Sequence, residues 1–436
     1  MEENPVKILY GVVVALIVLA ATAVAYAVSP RSLEPIERPD PQRFDSATIE
    51  LGERLALIGN CAECHTAERG EAYAGGRPIP TPLGTIFSTN ITPDPETGIG
   101  NWSQAAFRRS MYEGLDREGQ HLYPAFPYHH FTKVMPEDVD ALYAYLMTRE
   151  PVRNEAPENE LRFPFNLRPL LAAWKLLYLD NERFTRLPDA DEKVNRGAYL
   201  VQGLGHCGGC HTPRNALQAE KEDDFLRGEV TENWYAPAIA GDVPAAVRWN
   251  EQKLADYLAG RWVDEHGVAF GAMAPVVHNL SRIADEDVAA ISAYITLLME
   301  GDEAETDAEI TGAVGDARDG DDIGAVIYAG ACAVCHDASP SPFAAGLPLA
   351  YSTSIRIPTP LNLIRVIEEG VKPPEGQPGR YMPGFAGALT DEQLVALAAY
   401  LRGRYTGLEP WLDIDDVVAR RTHPGAVAVA ETAEAE

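Results

Sequence analysis

Cys61-Ala62-Glu63-Cys64-His65, Cys207-Gly208-Gly209-Cys210-His211 and Cys332-Ala333-Val334-Cys335-His336 repeat one arrangement, and together they use every cysteine in the chain. C-x-x-C-H is the attachment signature of c-type haem. Two thiols add across the vinyl groups of the porphyrin, and the adjacent histidine reaches the iron as proximal ligand. Structural zinc would pair C-x-x-C units with each other or with distant histidines, and no zinc spacing requires a histidine directly after the second cysteine. A thioredoxin-type dithiol has no need of that histidine either. Disulfide staples would not recur at so short a range in so long a chain. The three motifs therefore predict three covalently bound haem c groups. Cys61, Cys64, Cys207, Cys210, Cys332 and Cys335 form the thioethers, and His65, His211 and His336 are the proximal ligands.

An iron used for electron transfer carries a sixth ligand, commonly Met or His, and Met raises the potential. Met273, in Gly271-Ala272-Met273-Ala274-Pro275, lies 66 residues after Cys207 and 21 before Tyr294. Met382, in Tyr381-Met382-Pro383-Gly384, lies 50 after Cys332 and 18 before Tyr400. Methionine also fills gaps in cores, but matching positions in two repeats favour ligation. The first repeat departs from this pattern. Its equivalent position, 19 before Tyr145, is Phe126, which cannot bind iron. His121, His129, His130 and Met135 are near. His130 is the preferred sixth ligand, with His129, Met135 or an open five-coordinate iron as alternatives.

The elements that must position these groups repeat as well. GERLALIGN, GAYLVQGLGH and GAVIYAGA precede the three motifs as short opening helices. Val139-Leu142-Tyr145-Leu146, Val288-Ile291-Tyr294-Ile295 and Leu394-Leu397-Tyr400-Leu401 carry apolar residues at helical spacing and mark three closing helices. Acidic pairs at Glu137-Asp138, Glu286-Asp287 and Asp391-Glu392 suit the positive ends of those helices. The Pro- and Gly-rich stretches between them would be too long for a fold without a cofactor to wrap.

Ile8 to Val28 is a run of 21 residues without a charge. At 1.5 Å per residue it would extend about 31 Å, the thickness of a bilayer core. Its length and the weakly basic start favour an uncleaved anchor over a secretory signal cut near Ala23-Val24-Ala25. The expected architecture is thus an all-α chain of three tandem cytochrome c domains after an N-terminal transmembrane helix. Its parts are an anchor at 1–30, domains at 45–150, 191–300 and 323–408, a brace at 151–190 with Trp174, an acidic linker at 301–322 and a disordered tail at 409–436. The expected location is the bacterial inner membrane, with the haem domains in the periplasm.

The formal net charge is −29, from 36 basic and 65 acidic residues, which argues against nucleic-acid binding. Residues 301–322 alone hold nine acids and one Arg and read as a solvated linker. The acidity serves solubility or steers a basic redox partner. No Ser-His-Asp order, P-loop or zincin motif accompanies the cysteines. Gly203-Leu204-Gly205-His206-Cys207-Gly208 matches a dinucleotide fingerprint in form, but it overlaps a haem motif and follows no strand. His266, His278 and His423 read as surface residues.

The loop Pro80-Thr81-Pro82-Leu83-Gly84-Thr85-Ile86-Phe87-Ser88-Thr89-Asn90-Ile91-Thr92-Pro93-Asp94, with Gly100-Asn101-Trp102 after it, carries a family resemblance. So do His206 to Asn215, Gly271 to Pro275 and Met382-Pro383-Gly384-Phe385. Together these resemble the membrane-bound triheme cytochrome c subunits of periplasmic dehydrogenases. The resemblance implies an electron-transfer subunit that takes electrons from a separate catalytic dehydrogenase chain and delivers them to ubiquinone in a membrane. Ala125-Phe126-Pro127-Tyr128, continuing to His130-Phe131, is closer to the cytochromes that partner molybdenum hydroxylases carrying iron–sulfur clusters. The alternatives are a cytochrome subunit of a flavin or quinoprotein alcohol or sugar dehydrogenase, a peroxidase-type enzyme using the Met-less first haem, and a cytochrome tethered to an oxidase.

Overall fold

The computed structural model describes residues 32–300, 322–337, 346–373, 379–412 and 414–420, with Tyr10, 14–16 and 18–19. They fall in two compact units. One comprises residues up to Glu53 with Cys64–Ile79 and Leu83–Phe184, and the other Arg54–Glu63, Pro80–Pro82 and the chain from Thr185 onward.

Helices α1 (Ser46–Ile58), α2 (Cys61–His65), α3 (Gln104–Glu113), α4 (Tyr128–Phe131) and α5 (Pro136–Met147) make the first repeat. Helix α6 (Leu170–Tyr178) follows it. The second repeat holds α7 (Glu192–Gln202), α8 (Gly208–His211), α9 (Glu251–Leu258), α10 (Met273–Leu280) and α11 (Asp285–Leu298). The third has α12 (Ile323–Ile327), a π-helical turn at Tyr328–Cys332, α13 (Ala333–His336), α14 (Leu361–Glu369), α15 (Asp391–Thr406) and α16 (Ile414–Arg420). Side-chain caps set several starts. Ser103, Asp191 and Asn250 accept from backbone amides of α3, α7 and α9. Thr390 and Gln393 form a capping box at α15.

Opening and closing helices cross at one repeated contact. Gly52 of α1 lies against the Ala141 carbonyl and Tyr145 Cβ of α5. Gly197 of α7 meets the Ala290 carbonyl and Tyr294 Cβ of α11, and Gly324 of α12 meets the Ala396 carbonyl and Tyr400 Cβ of α15. A Cβ at any of the three would overlap the facing backbone, so glycine lets the two helix axes approach closely. Large apolar side chains fill in around each crossing. Leu142 and Met147 are buried in the first repeat, Leu200 and Ile291 in the second, and Ile364, Leu394 and Leu397 in the third.

The expectation of an all-α chain is corrected. Strands β1 (Pro78–Thr81), β2 (Gly84–Phe87) and β3 (Glu160–Leu161) form a sheet in the order β1-β2-β3, with Gly84 opposite Leu161. Strands β4 (Glu229–Thr231) and β5 (Trp234–Ala236) make an antiparallel hairpin. Glu232 and Asn233 turn it with φ of 49° and 60°, the left-handed pair that a two-residue hairpin requires. Strands β6 (Gly241–Asp242) and β7 (Met299–Glu300) pair in parallel. All are two to four residues long, too short for alternation to be read in loops rich in Pro and Gly.

The transmembrane helix is corrected too. Among the described residues no helix is long and apolar enough to cross a membrane. Most of the 8–28 run lies outside the described residues. The inner-membrane placement of periplasmic domains on that anchor loses its support with it.

The acidic linker lies outside the described residues except for Asp322, and so does the chain after residue 420. Residues 409–420, read from sequence as tail, contribute Trp411, Ile414 and Val418 to the buried cluster of the third repeat. Trp411 Nε1 donates to the Ile357 carbonyl at 2.9 Å.

Candidate haem-attachment sites

Each C-x-x-C-H motif lies at the end of an opening helix, where one helical turn presents both thiols and the imidazole together. The three imidazoles share one hydrogen-bond arrangement. Nδ1 of His65 lies 2.6 Å from the Thr89 carbonyl oxygen, Nδ1 of His211 lies 2.7 Å from that of Pro237, and Nδ1 of His336 lies 2.8 Å from that of Leu347. A carbonyl oxygen only accepts, so Nδ1 carries the proton in all three and Nε2 is the basic nitrogen. That is the tautomer of a metal-ligating histidine whose other nitrogen is held by an outer partner. Desolvation lowers the pKa of His65 and His211, with the carbonyl bond opposing it, so both rings are neutral bases at neutral pH.

Neither Cys207 nor Cys332 resembles a reactive redox thiol. Burial pushes Cys207 up to about 12 and also raises Cys332, whereas reactive dithiols carry a lowered pKa. At both sulfurs burial is the largest cause, and the second cysteine of the same motif, Cys210 or Cys335, adds to the rise.

In the first repeat, Phe126 sits edge-on to Phe131, with centroids 5.2 Å apart, and 6.5 Å from Tyr128. His129 and His130 lie on the single turn of α4, their rings 4.6 Å apart. His130 is 4 % exposed, and Met135 at the N-cap of α5 is 37 % exposed. The hydroxyl of fully buried Tyr128 has no hydrogen-bond partner among the described residues, a polar atom fit to meet an additional group. Trp174, from the segment expected as a brace, stacks edge-on to Tyr128 and His129 within this unit. A cavity of about 420 Å³ adjoins Thr89, lined also by Phe87, Tyr123, Asn159 and Arg168.

Met273 is the first residue of α10 and half-buried. Met382 is half-buried and pairs with Val371 through two main-chain hydrogen bonds of 2.9 and 3.0 Å. Both precede a closing helix, as their spacing implies.

Some functional candidates escape a reading of the sequence. His266, expected as a surface residue, stacks on Trp249 with centroids 3.5 Å apart and ring planes within 11°. Its Nε2 is buried without a partner among the described residues, and burial lowers its pKa to about 4. Asp337, directly after His336, accepts from the hydroxyls of Tyr328 and Tyr405 at 2.6 and 2.8 Å, and so anchors the residue beside that imidazole. Tyr328 and Tyr405 lie nine and 68 residues from Asp337, and no local pattern joins them.

Comparisons with known proteins agree with this chemistry. A cytochrome c family model matches residues 49–150, and a model for subunit III of cbb3-type cytochrome c oxidase matches residues 320–401. Two segments are matched, and the stretch carrying Cys207 is matched by neither, so the expectation of three tandem cytochrome c domains is corrected to two. Over 423 residues the chain is 42% identical to a nicotinate dehydrogenase subunit of Pseudomonas putida, covering 96% of this chain and 35% of that protein. The chain therefore spans about a third of that relative's length. It is 36% identical to the gluconate 2-dehydrogenase cytochrome c subunit of Pantoea cypripedii, covering 88% of this chain and 91% of the relative. It is 35% identical to the cytochrome c subunit of the quinone alcohol dehydrogenase of Gluconacetobacter polyoxogenes, covering 84% and 82%.

Proposed function

This chain belongs to the cytochrome c subunits of dehydrogenase complexes, and from that premise we propose that it binds three haem c groups and relays electrons from a catalytic dehydrogenase chain to ubiquinone. The observation that carries the reading is the threefold Nδ1-to-carbonyl bond at His65, His211 and His336. It recurs at Cys207–His211, the motif outside both family matches, with the same glycine crossing behind it.

When bound, a haem c supplies one reversible electron at its iron. The chain's own residues do the rest. The paired thiols fix each group covalently. His65, His211 and His336 would each present Nε2 to the iron, with Nδ1 held by a main-chain carbonyl. Met273 and Met382 would hold the second and third groups as thioether ligands, a ligand type that raises a haem's potential. His130, buried where Met135 is exposed, serves the first, and an imidazole there makes it the lowest of the three. The carbonyl partners hold the imidazoles in orientation, which limits rearrangement as charge changes.

The catalytic partner is of molybdenum hydroxylase type and acts on a nicotinate-like heteroaromatic. The similarity to the nicotinate dehydrogenase chain and the Ala125–Phe131 stretch support this. The gluconate and alcohol dehydrogenase cytochrome chains, similar over most of the length, support a second reading with a flavin or quinoprotein partner. Isolation of the native complex separates them. Nicotinate should reduce the haem spectrum and a short-chain ubiquinone should reoxidise it. Reduction by an alcohol or sugar, with none by nicotinate, contradicts the first reading.

A further inference from the structure

The second and third repeats are joined by a clasp whose members lead directly to candidate axial ligands. Asn362, on the first turn of α14 and 8 % exposed, accepts from the Tyr235 amide and donates to the Tyr235 carbonyl, both at 2.8 Å. Its side-chain amide thus completes β5 as a neighbouring strand would. One turn along, the Arg365 guanidinium lies 4.5 Å from the centroid of Trp234 and donates to the Asn233 carbonyl at 3.1 Å. Glu369 holds that guanidinium from the other side.

Each end of the clasp continues into an iron site. β5 runs into Pro237, whose carbonyl holds His211. The Trp234 ring packs on Gly271, at φ +57°, where any Cβ would collide with the indole, two residues before Met273. On the other side, α14 runs into Gly370 and Val371, and Val371 pairs with Met382. The Ile367 carbonyl at the end of α14 accepts from Phe385 at 2.8 Å and closes the same loop.

We propose that Asn362 and Arg365 are positioning residues for electron exchange between the second and third haem sites. They fix the strand that steadies both ligands of one iron to the helix that carries the distal ligand of the other. With both haems bound, one ferrous iron would be oxidised and its ferric neighbour reduced, with no bond or proton changing hands, so the rate would depend on a fixed separation and on small ligand rearrangement. The proposal rests on the assignment of Met273 and Met382 as distal ligands.

The test uses the full haem-loaded chain and the variants Asn362→Leu and Arg365→Gln. Three readouts are taken: potentiometric titration, the red charge-transfer band of methionine-ligated ferric haem, and electron redistribution after flash reduction. Loss of the clasp should shift the second and third potentials, weaken the methionine band and slow redistribution between those two sites, leaving the first site's transition in place. Arg365→Gln, at a partly exposed position, should show the same signs more weakly and serves if Asn362→Leu does not fold. Variants that melt earlier but match wild type in all three readouts overturn the proposal alone. A wild-type protein without the methionine band overturns the ligand assignment and this proposal with it.

Discussion

Gly197 of α7 lies directly on the main-chain carbonyl of Ala290 in α11, with Tyr294 Cβ beside it, so no side chain fits between the two helices. Replacement by alanine forces the helices apart in a close-packed crossing. Gly197→Ala should lower stability by about 1–3 kcal/mol, the usual cost of overpacking. Gly330→Ala is the control and should lose nothing, because a Cβ there would meet no atom of the described residues within 4 Å. Denaturant melts of the two variants check this, and equal stability would remove the crossing from the account.

Buried Asp287 receives Arg196 through Nε at 2.8 Å and Nη2 at 3.3 Å, tying the closing helix of the second repeat to its opening helix. Asp287→Ala leaves a partly buried guanidinium without its carboxylate. The expected loss is about 1–3 kcal/mol, the cost of unpairing a charge-assisted bond. Arg196→Met, which removes the charge as well, should cost less, and the two melts together separate charge pairing from packing.

His266 gives the protein an acid-sensitive point. Its folded pKa is about 4, against an ordinary value of 6.5, because burial beside Trp249 penalises the imidazolium. Above pH 6.5 both folded and unfolded chains hold it neutral. Between about 6.5 and 4 the unfolded chain takes up the proton first, so the fold loses stability as pH falls through that window. Melting temperature should therefore drop from pH 7 to pH 4.5 more steeply in wild type than in His266→Gln. Parallel slopes would remove His266 as the cause.

At the first site, His130→Ala should change the ligation spectrum and raise the lowest potential, while Met135→Ala should leave both in place. His130 is buried on α4 and Met135 exposed at the cap of α5. Near-infrared spectra decide between them, and an effect of Met135→Ala alone would reassign the ligand.

Much of the site is legible in the sequence because its chemistry is local. The cysteines and proximal histidines lie within five residues of one another, and the closing helices announce themselves by apolar spacing and acidic first turns. The short strands are not legible, since two to four residues in Pro- and Gly-rich loops carry no period. The run at 8–28 has the composition of a span, yet among the described residues no helix is long and apolar enough to cross a membrane. Long-range partners are equally hidden. Nothing near Asn362 in sequence points to Tyr235, 127 positions away, and the burial of His266 depends on a tryptophan 17 residues earlier that happens to face it. The buried Trp411 and Val418 read as tail because the acidic and small residues after them dominate that end of the chain.

The motif at Cys207–His211 decides the central claim, because it shares the geometry of the other two and lies outside both family matches. Proteolysis of the purified chain, followed by mass spectrometry of the peptide containing Cys207 and Cys210, tests it directly. The account predicts a haem bound to that peptide through both sulfurs, alongside one at Cys61 and Cys64 and one at Cys332 and Cys335. Free thiols at Cys207 and Cys210 in a protein loaded at the other two motifs would contradict it.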